Sequence, residues 1–255
     1  MTKEAISHYL RRTGFDTLSP KAVLFDMDGV CYDSMPYHAL AWQQSMAHFG
    51  LKMTAYDAYA SEGAKGTDTI MALARRETGQ DITLQQAQAM YDVKSQIFHS
   101  LKPLPPIMPG ILNLMAQIHS SGLGIGIVTG SGQRPLIARL MRDFQHYVGE
   151  EHIVTAYDVQ HGKPAPDPYL MGLEKMGALH PWQALVVENA PLGVAAGVAS
   201  RCFTIAVNTG PLPDEALTKQ GADLLFHTMT ELSDSWEQLF EGMSSRCACA
   251  SNPEH

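Results

Sequence analysis

The chain has 255 residues, 45% of them hydrophobic, and a formal net charge of -8. That length holds one large domain, or one with a smaller insertion, and the apolar content suffices for a sizeable core. The acidic balance without a Lys/Arg run excludes general binding to a phosphate backbone, no apolar run approaches bilayer length, and residues 1–10 lack the apolar core of a secretion signal.

The expected protein is therefore a cytoplasmic monomer with a small partner, using neither nucleic acid nor membrane. Four cysteines agree with that compartment. Cys31 and Cys202 sit in core-like surroundings, while Cys247 and Cys249 lie in a polar tail without the spacing of a disulfide framework.

In chain order, residues 1–20 read as an N-terminal helical extension. The apolar run Ala22-Val23-Leu24-Phe25 then leads straight into Asp26-Met27-Asp28-Gly29. Alternation along a strand sends Asp26 and Asp28 to one side and Met27 to the other, and Gly29 permits a sharp exit. Like-charge repulsion between the two acids favours either a bound cation or one retained proton. Taken alone, the pattern is equally a strand-end turn, where Asp and Gly are common for conformational reasons.

From about Tyr37 to Lys102 no strand is expected, and the stretch is too long for one crossover helix. Trp42, Met46 and Phe49 fall at helical spacing, as do Ile70, Leu73 and Ala74, then Tyr91, Ile97, Phe98 and Leu101. This predicts an inserted helical domain over residues 37–102. Ser34-Met35-Pro36 and Lys102-Pro103-Leu104-Pro105-Pro106 bracket it as paired hinges.

The other strands are expected at Ala22 to Asp26, Leu123 to Thr129, Ile153 to Ala156, Ala184 to Glu188, Phe203 to Val207 and Leu224 to Phe226. Their alternation with helical patterns predicts an α/β fold. A doubly wound, parallel-sheet Rossmann-like core spans residues 21–36 and 103–242, with the all-helical cap inserted and residues 243–255 a disordered tail. No internal repeat is evident.

Ligands of parallel sheets gather at the carboxyl ends of the strands. Four such ends matter: Asp26 and Asp28 after the first strand, Thr129-Gly130-Ser131-Gly132 after the second, Gly162-Lys163-Pro164 after the third, and Glu188-Asn189 after the fourth. Together they offer a nucleophile, hydroxyl and backbone donors, a cation and metal-binding oxygens, an inventory suited to phosphoryl transfer. An aspartate can attack phosphorus when Mg²⁺ and Lys163 offset the repulsion between two anions. Singly, Thr129 and Ser131 read as an N-capped turn, Lys163 as a solvated lysine and Glu188 as a helix cap. The phosphoryl reading rests on their joint occurrence.

Phe25-Asp26-Met27-Asp28-Gly29-Val30 with Asp33-Ser34, Val128-Thr129-Gly130, Gly162-Lys163-Pro164-Ala165-Pro166-Asp167 and Val187-Glu188-Asn189-Ala190-Pro191-Leu192-Gly193 resemble, in order, the four motifs of the haloacid dehalogenase-like superfamily. The insertion between the first two is similar to that of its helical-cap members, such as β-phosphoglucomutase. The resemblance implies that Asp26 forms an aspartyl-phosphate and that Asp28 serves as acid and base. It implies Thr129, Gly130, Ser131 and Lys163 as phosphate-binding residues. Mg²⁺ would be held by Asp26, the backbone carbonyl of Asp28, Glu188 and Asn189. Relatives often carry Asp where this chain has Asn189, which removes charge from the metal's shell.

The cap decides the substrate. Glu62, in Ser61-Glu62-Gly63-Ala64-Lys65-Gly66, is either an exposed loop acid or a carboxylate carried into the cleft. Similar mutases grip a second phosphate with a cationic cap residue, and here that place falls at or beside Gly66 with only Lys65 adjacent. A cap carboxylate on the metal resembles a pyrophosphatase branch of the same subfamily. Lys94 either snorkels or reaches the cleft, and His38 is either a helix-surface histidine or a neighbour of Asp28. The expected activity is a Mg²⁺-dependent phosphohydrolase acting on a small phosphorylated metabolite or pyrophosphate. A β-phosphoglucomutase-type phosphomutase and a catalytically weak ligand-sensing protein are the alternatives.

Overall fold

The chain begins with α1 (Thr2–Thr13), whose Ala5, Ile6 and Tyr9 are buried in the main core. The structure, a computed structural model, describes residues 2–131 and 134–244. After β1 (Ala22–Phe25) come four helices without a strand: α2 (Met35–His48), α3 (Ala55–Ala60), α4 (Gly66–Thr78) and α5 (Leu84–Ser100). The chain then alternates through α6 (Ile111–Ser120), β2 (Gly124–Val128), α7 (Arg134–Phe144), β3 (Ile153–Val154), α8 (Asp167–Lys175) and β4 (Ala184–Glu188). It closes with α9 (Pro191–Ala199), β5 (Phe203–Val207), α10 (Glu215–Thr218), β6 (Leu224–Phe226) and α11 (Met229–Ser244).

All strand pairings are parallel, in the order β3-β2-β1-β4-β5-β6. This is a doubly wound, Rossmann-like sheet. Every residue of β1, β4 and β5 is buried, as a parallel strand covered on both faces requires. Alternation along β1 divides its side chains between two layers. Val23 and Phe25 join a large cluster with Tyr9, Ile111 and Trp236, whereas Leu24 joins Val128, Tyr169 and Val186 on the opposite face.

The strands lie where the apolar runs place them, with β1 one residue shorter at its end, β2 one shorter at each end and β3 cut by two. β3 ends at Val154, not Ala156, because the Asp158 carboxylate accepts from both the Thr155 N–H and hydroxyl at 2.7 Å, closing a local turn that removes Thr155 from the ladder.

Helices α2 to α5 enclose an apolar cluster of their own around Trp42, Met46, Ile70, Leu73 and Met90. Two details of the helical reading change. Phe49 terminates α2 and is exposed, and the buried stripe of α5 runs through Ala87, Met90 and Lys94 while Ile97 and Phe98 are only half-buried. At the other end of the chain, Met243 is buried on α11, so the helix passes the expected start of the tail; residues 245–255, with Cys247 and Cys249, lie outside the described residues.

A reciprocal capping box starts α3, where the Asp57 carboxylate accepts from the Thr54 N–H at 2.8 Å and from Arg76 at 2.6 Å. Arg76, with help from Thr54, holds the Asp57 carboxyl at about 2 against the opposing effect of burial. Asp57→Asn is expected to lower stability by about 1 kcal/mol at neutral pH. A folded pKa below the unfolded value of roughly 4 gives stability that is present above that value and lost as pH falls toward 2. Urea midpoints of the two proteins should therefore converge in acid.

Candidate active site

The sheet register sets the site. Phe25 pairs with Ile127 on one side and Val187 on the other, so the residues beyond these strands emerge side by side. The Asp26 N–H donates to Val187 at 3.0 Å and the Thr129 N–H to Val154 at 2.9 Å, which fixes both at the sheet's edge. Gly29 turns the chain with φ +86°, and a Cβ there would collide with the Asn189 side chain.

Lys163 enters beneath these tips and is buried. Its ammonium donates to Asp26 Oδ1 at 2.5 Å and to the Val128 carbonyl at 3.2 Å, and it pairs with Glu188 Oε1 at 2.6 Å. Burial opposes the charge, but Asp26 and Glu188 outweigh it and hold the Lys163 pKa above its ordinary value. Burial likewise pushes the Asp26 carboxyl up, Lys163 pulling against it and Glu188 and Asp28 adding repulsion.

Glu188 has further partners. Its Oε1 also accepts from Tyr169 Oη at 2.5 Å, and its Oε2 accepts from the Asn189 N–H at 3.2 Å. Both oxygens have partners, so in this structure the carboxylate tethers Lys163 and Tyr169. Asn189 is the opposite case: its Oδ1 is buried and has no hydrogen-bond partner.

A second chain of contacts leads from Asp28 into the helical layer. Asp28 Oδ1 accepts from Ser34 Oγ at 2.5 Å and lies 3.2 Å from His38 Nε2; Lys94 Nζ is 2.7 Å from His38 Nδ1. The His38 ring stacks on Phe98 with centroids 4.1 Å apart. Lys94 is 4% exposed and lies 5.1 to 5.8 Å from the ring centroids of Trp42, Tyr91 and Phe98. Burial lowers its pKa to about 8, with Glu62 and Asp28 opposing. Burial also acts to raise the Asp28 pKa, but His38, Ser34 and Lys94 prevail and hold it below the usual range.

On the phosphate side, Thr129 Oγ1 accepts from the Ser131 N–H at 3.0 Å, so the Thr129 hydroxyl proton is left to donate. Gly130 and Ser131 line a cleft of about 70 Å³ that also touches Asp26, Asp28, His38, Glu62 and Lys94. Gly132 lies outside the described residues. The Glu62 carboxylate makes no hydrogen bond among the described residues; burial raises its pKa, with His38 and Lys94 opposing and Asp28 reinforcing the shift. Lys65 is exposed and donates to the Gln160 carbonyl at 3.1 Å; it lines an adjoining cavity with Thr129, Gly130 and Lys163 and not the cleft that holds Glu62.

A family model for haloacid dehalogenase-like hydrolases matches residues 20–201. The chain belongs to the haloacid dehalogenase-like hydrolase family. It is 30% identical over 213 residues to hexitol phosphatase A of Escherichia coli, covering 84% of this chain and 93% of that one. It is 28% identical over 229 residues to β-phosphoglucomutase of Bacillus subtilis, covering 86% and 96%. A solved structure from Bacteroides vulgatus, provisionally named a β-phosphoglucomutase, superposes with a TM-score of 0.89 at 47% identity, covering 95% of this chain and 98% of that one. Phosphoryl transfer, by a phosphohydrolase or a phosphomutase, is the activity class these relatives support.

Within this haloacid dehalogenase-like site, sequence reasoning gave Tyr169 no role, took Ser34 only as part of the first motif and of a hinge, and took Phe98 only as part of a helical stripe. Ser34 had a signal: it occupies the N-cap position of α2 but makes no cap hydrogen bond, because its hydroxyl goes to Asp28. Tyr169 carried none, since a buried tyrosine on a helix is ordinary core until a partner is seen. Among the described residues no group of three or more His, Cys, Asp or Glu is arranged to hold a metal. The donors that fit one here are mixed: the orphaned Asn189 Oδ1, an Asp26 carboxylate and a strand-end carbonyl. Two buried acids, Asp26 and Glu188, share one Lys163, so a divalent cation also suits the charge. No helix of the described residues is long and apolar enough to cross a membrane.

Proposed function

We propose that this chain is a Mg²⁺-dependent phosphohydrolase for pyrophosphate or a similarly compact phosphorylated compound. The observation that carries the reading is Glu62: a cap carboxylate, not a free cation, faces Asp28 and Lys163 across the cleft. A second phosphate would need a positive partner there. Among the described residues, Lys94 contacts His38, Lys163 bridges Asp26 and Glu188, and Lys65 binds Gln160. A carboxylate in that position suits a cation, and it supplies the charge that Asn189 lacks relative to an aspartate.

Asp26, the Asp28 backbone carbonyl, Asn189 and Glu62 would hold Mg²⁺, which when bound offsets the charge of the phosphoryl oxygens. Asp26 attacks phosphorus as the bond to the leaving oxygen breaks, giving an aspartyl-phosphate. Asp28, oriented by Ser34 and His38, handles the protons: its carboxylate takes one from the attacking water, and the proton so gained goes to the leaving oxygen of the next turnover. Thr129 and the Gly130-Ser131 backbone hold non-bridging oxygens, and Lys163 keeps the Asp26 oxygen in place. The family division into helical cap and α/β core belongs to this reading: residues 37–102 cover the strand tips of 21–36 and 103–242 and exclude water.

A sugar phosphomutase is the second reading, favoured by the 47% identity with the Bacteroides vulgatus chain. A phosphate-release screen over pyrophosphate, sugar phosphates and nucleotides, with glucose 1-phosphate isomerisation followed in parallel, separates the two. Pyrophosphate is expected to lead, and efficient isomerisation would overturn the hydrolase reading. Glu62→Gln should reduce pyrophosphate turnover more than turnover of a monoester such as p-nitrophenyl phosphate. Equal loss on both would remove Glu62 from the metal.

A further inference from the structure

Glu62 is placed by a short loop, and both ends of that loop are fastened to the core by contacts that the chemistry does not use. At one end Tyr59, the penultimate residue of α3, lies against the backbone after β5. A Cβ built on Gly210 would stand 2.5 Å from the Tyr59 ring, so the ring rests directly on the glycine. That core loop is itself held firmly. Asn208 Nδ2 donates to the Leu212 carbonyl at 2.8 Å and to Asp214 at 2.7 Å, and Thr209 Oγ1 donates to the Gly29 carbonyl at 2.8 Å. Tyr59 thus touches a segment bonded to the residue that follows Asp28.

At the other end Lys65, the N-cap residue of α4, donates from Nζ to the Gln160 carbonyl at 3.1 Å, in the loop that leads to Lys163. Between the two ends the backbone comes close to the site: a Cβ on Gly63 would stand 3.3 Å from Lys163 Cδ and 3.7 Å from the Gly193 nitrogen. The Glu62 amide donates back to the Tyr59 carbonyl at 3.4 Å and the Ala64 amide to Ser61 at 3.2 Å, so the intervening turn is short and has little slack.

We propose that Tyr59 and Lys65 are positioning residues that clamp the Glu62 loop onto two core loops, one after β5 and one before Lys163, and so set Glu62 over Asp26 and Asp28. The inference rests on the hydrolase reading for the role of Glu62, while the clamp itself rests on the contacts. Lys65 then acts as a clasp and not as a phosphate ligand, and Gly210 is a glycine because a side chain would lift Tyr59 from its seat. Neither residue touches substrate; each acts through the loop between them.

The test uses the full chain as Tyr59→Ala, Gly210→Ala, the Tyr59→Ala/Gly210→Ala double variant, Lys65→Met and Lys65→Arg. For each, kcat and KM for pyrophosphate are measured, together with amide hydrogen exchange at residues 61–66 of the free protein. Tyr59→Ala, Gly210→Ala and Lys65→Met are expected to lower kcat by up to about 10²-fold, the scale of a displacement near 1 Å, with much smaller change in KM. Residues 61–66 should exchange faster in those three. The double variant is expected to be no worse than either single one, because both remove the same contact. Lys65→Arg should keep most activity, since a guanidinium can also donate to a carbonyl.

Additive losses in the double variant, or unchanged exchange at residues 61–66, would overturn the clamp. So would Lys65→Arg falling as far as Lys65→Met. If the unaltered chain releases no phosphate from pyrophosphate, the hydrolase reading fails, and the exchange measurements still decide the clamp.

Discussion

Asp26→Asn is expected to lower Mg²⁺-dependent phosphate release by at least about 10⁴-fold, the scale on which removing a nucleophile acts. The amide has nearly the shape of the carboxylate but is not a nucleophile toward phosphorus, so no aspartyl-phosphate forms. The fold should be intact for a specific reason. Lys163 keeps Glu188 and the Val128 carbonyl as partners, and one of the two buried acids that share it is gone. Less carboxylate repulsion means that the metal-free variant melts at the same temperature as the parent chain or higher. Phosphate release, thermal melts in EDTA and trapping of labelled phosphate on the protein are the measurements. Retained turnover with pyrophosphate would eliminate the covalent mechanism, whereas a large fall in melting temperature would show that Asp26 is needed for folding.

The sheet was legible because each strand is an apolar run that ends in a chemically marked residue. Ala22–Phe25 ends at Asp26, Gly124–Val128 at Thr129, and Ala184–Glu188 at its own carboxylate. A parallel register brings those ends together, so the core of the site could be named from one dimension. The cap was less legible because its important residues violate their local pattern. Lys94 lies on a helical stripe otherwise made of apolar residues, and sequence alone leaves two outcomes for a lysine there; three aromatic rings and His38 decide between them. Lys65 and Gly210 were beyond reach for a different reason. Their contacts join segments 95 and 151 residues apart, and neither partner has a chemical signature, one being a backbone carbonyl and the other a ring face. Glu188 shows the converse, since a motif can place a carboxylate near a metal without showing which neighbours take up its oxygens.

Lys163→Met should have the largest effect on stability. It removes the cation from a site where Asp26 is 6% exposed and Glu188 1%, and breaking a buried ion pair in this way costs about 3–5 kcal/mol because the remaining charges are uncompensated. Activity should fall with it, since nothing then holds Asp26 Oδ1 or balances the incoming phosphoryl group. The pH dependence identifies the cause. Without Lys163 the Asp26 carboxyl, which burial already holds above its ordinary value, loses the cation that pulls it down and rises further. Groups shifted in that direction give stability that is fully present below the unfolded pKa and is lost as pH rises through the folded one. The deficit relative to the parent chain should therefore be largest near neutrality and shrink in acid, the reverse of a defect caused by lost packing. Urea denaturation across that range in EDTA tests it. Adding Asp26→Asn to Lys163→Met removes one of the stranded acids and should recover part of the loss. A double variant no more stable than Lys163→Met alone would mean that the lysine acts through its packing against Tyr169, whose ring lies 5.2 Å from its ammonium, and not through the carboxylates.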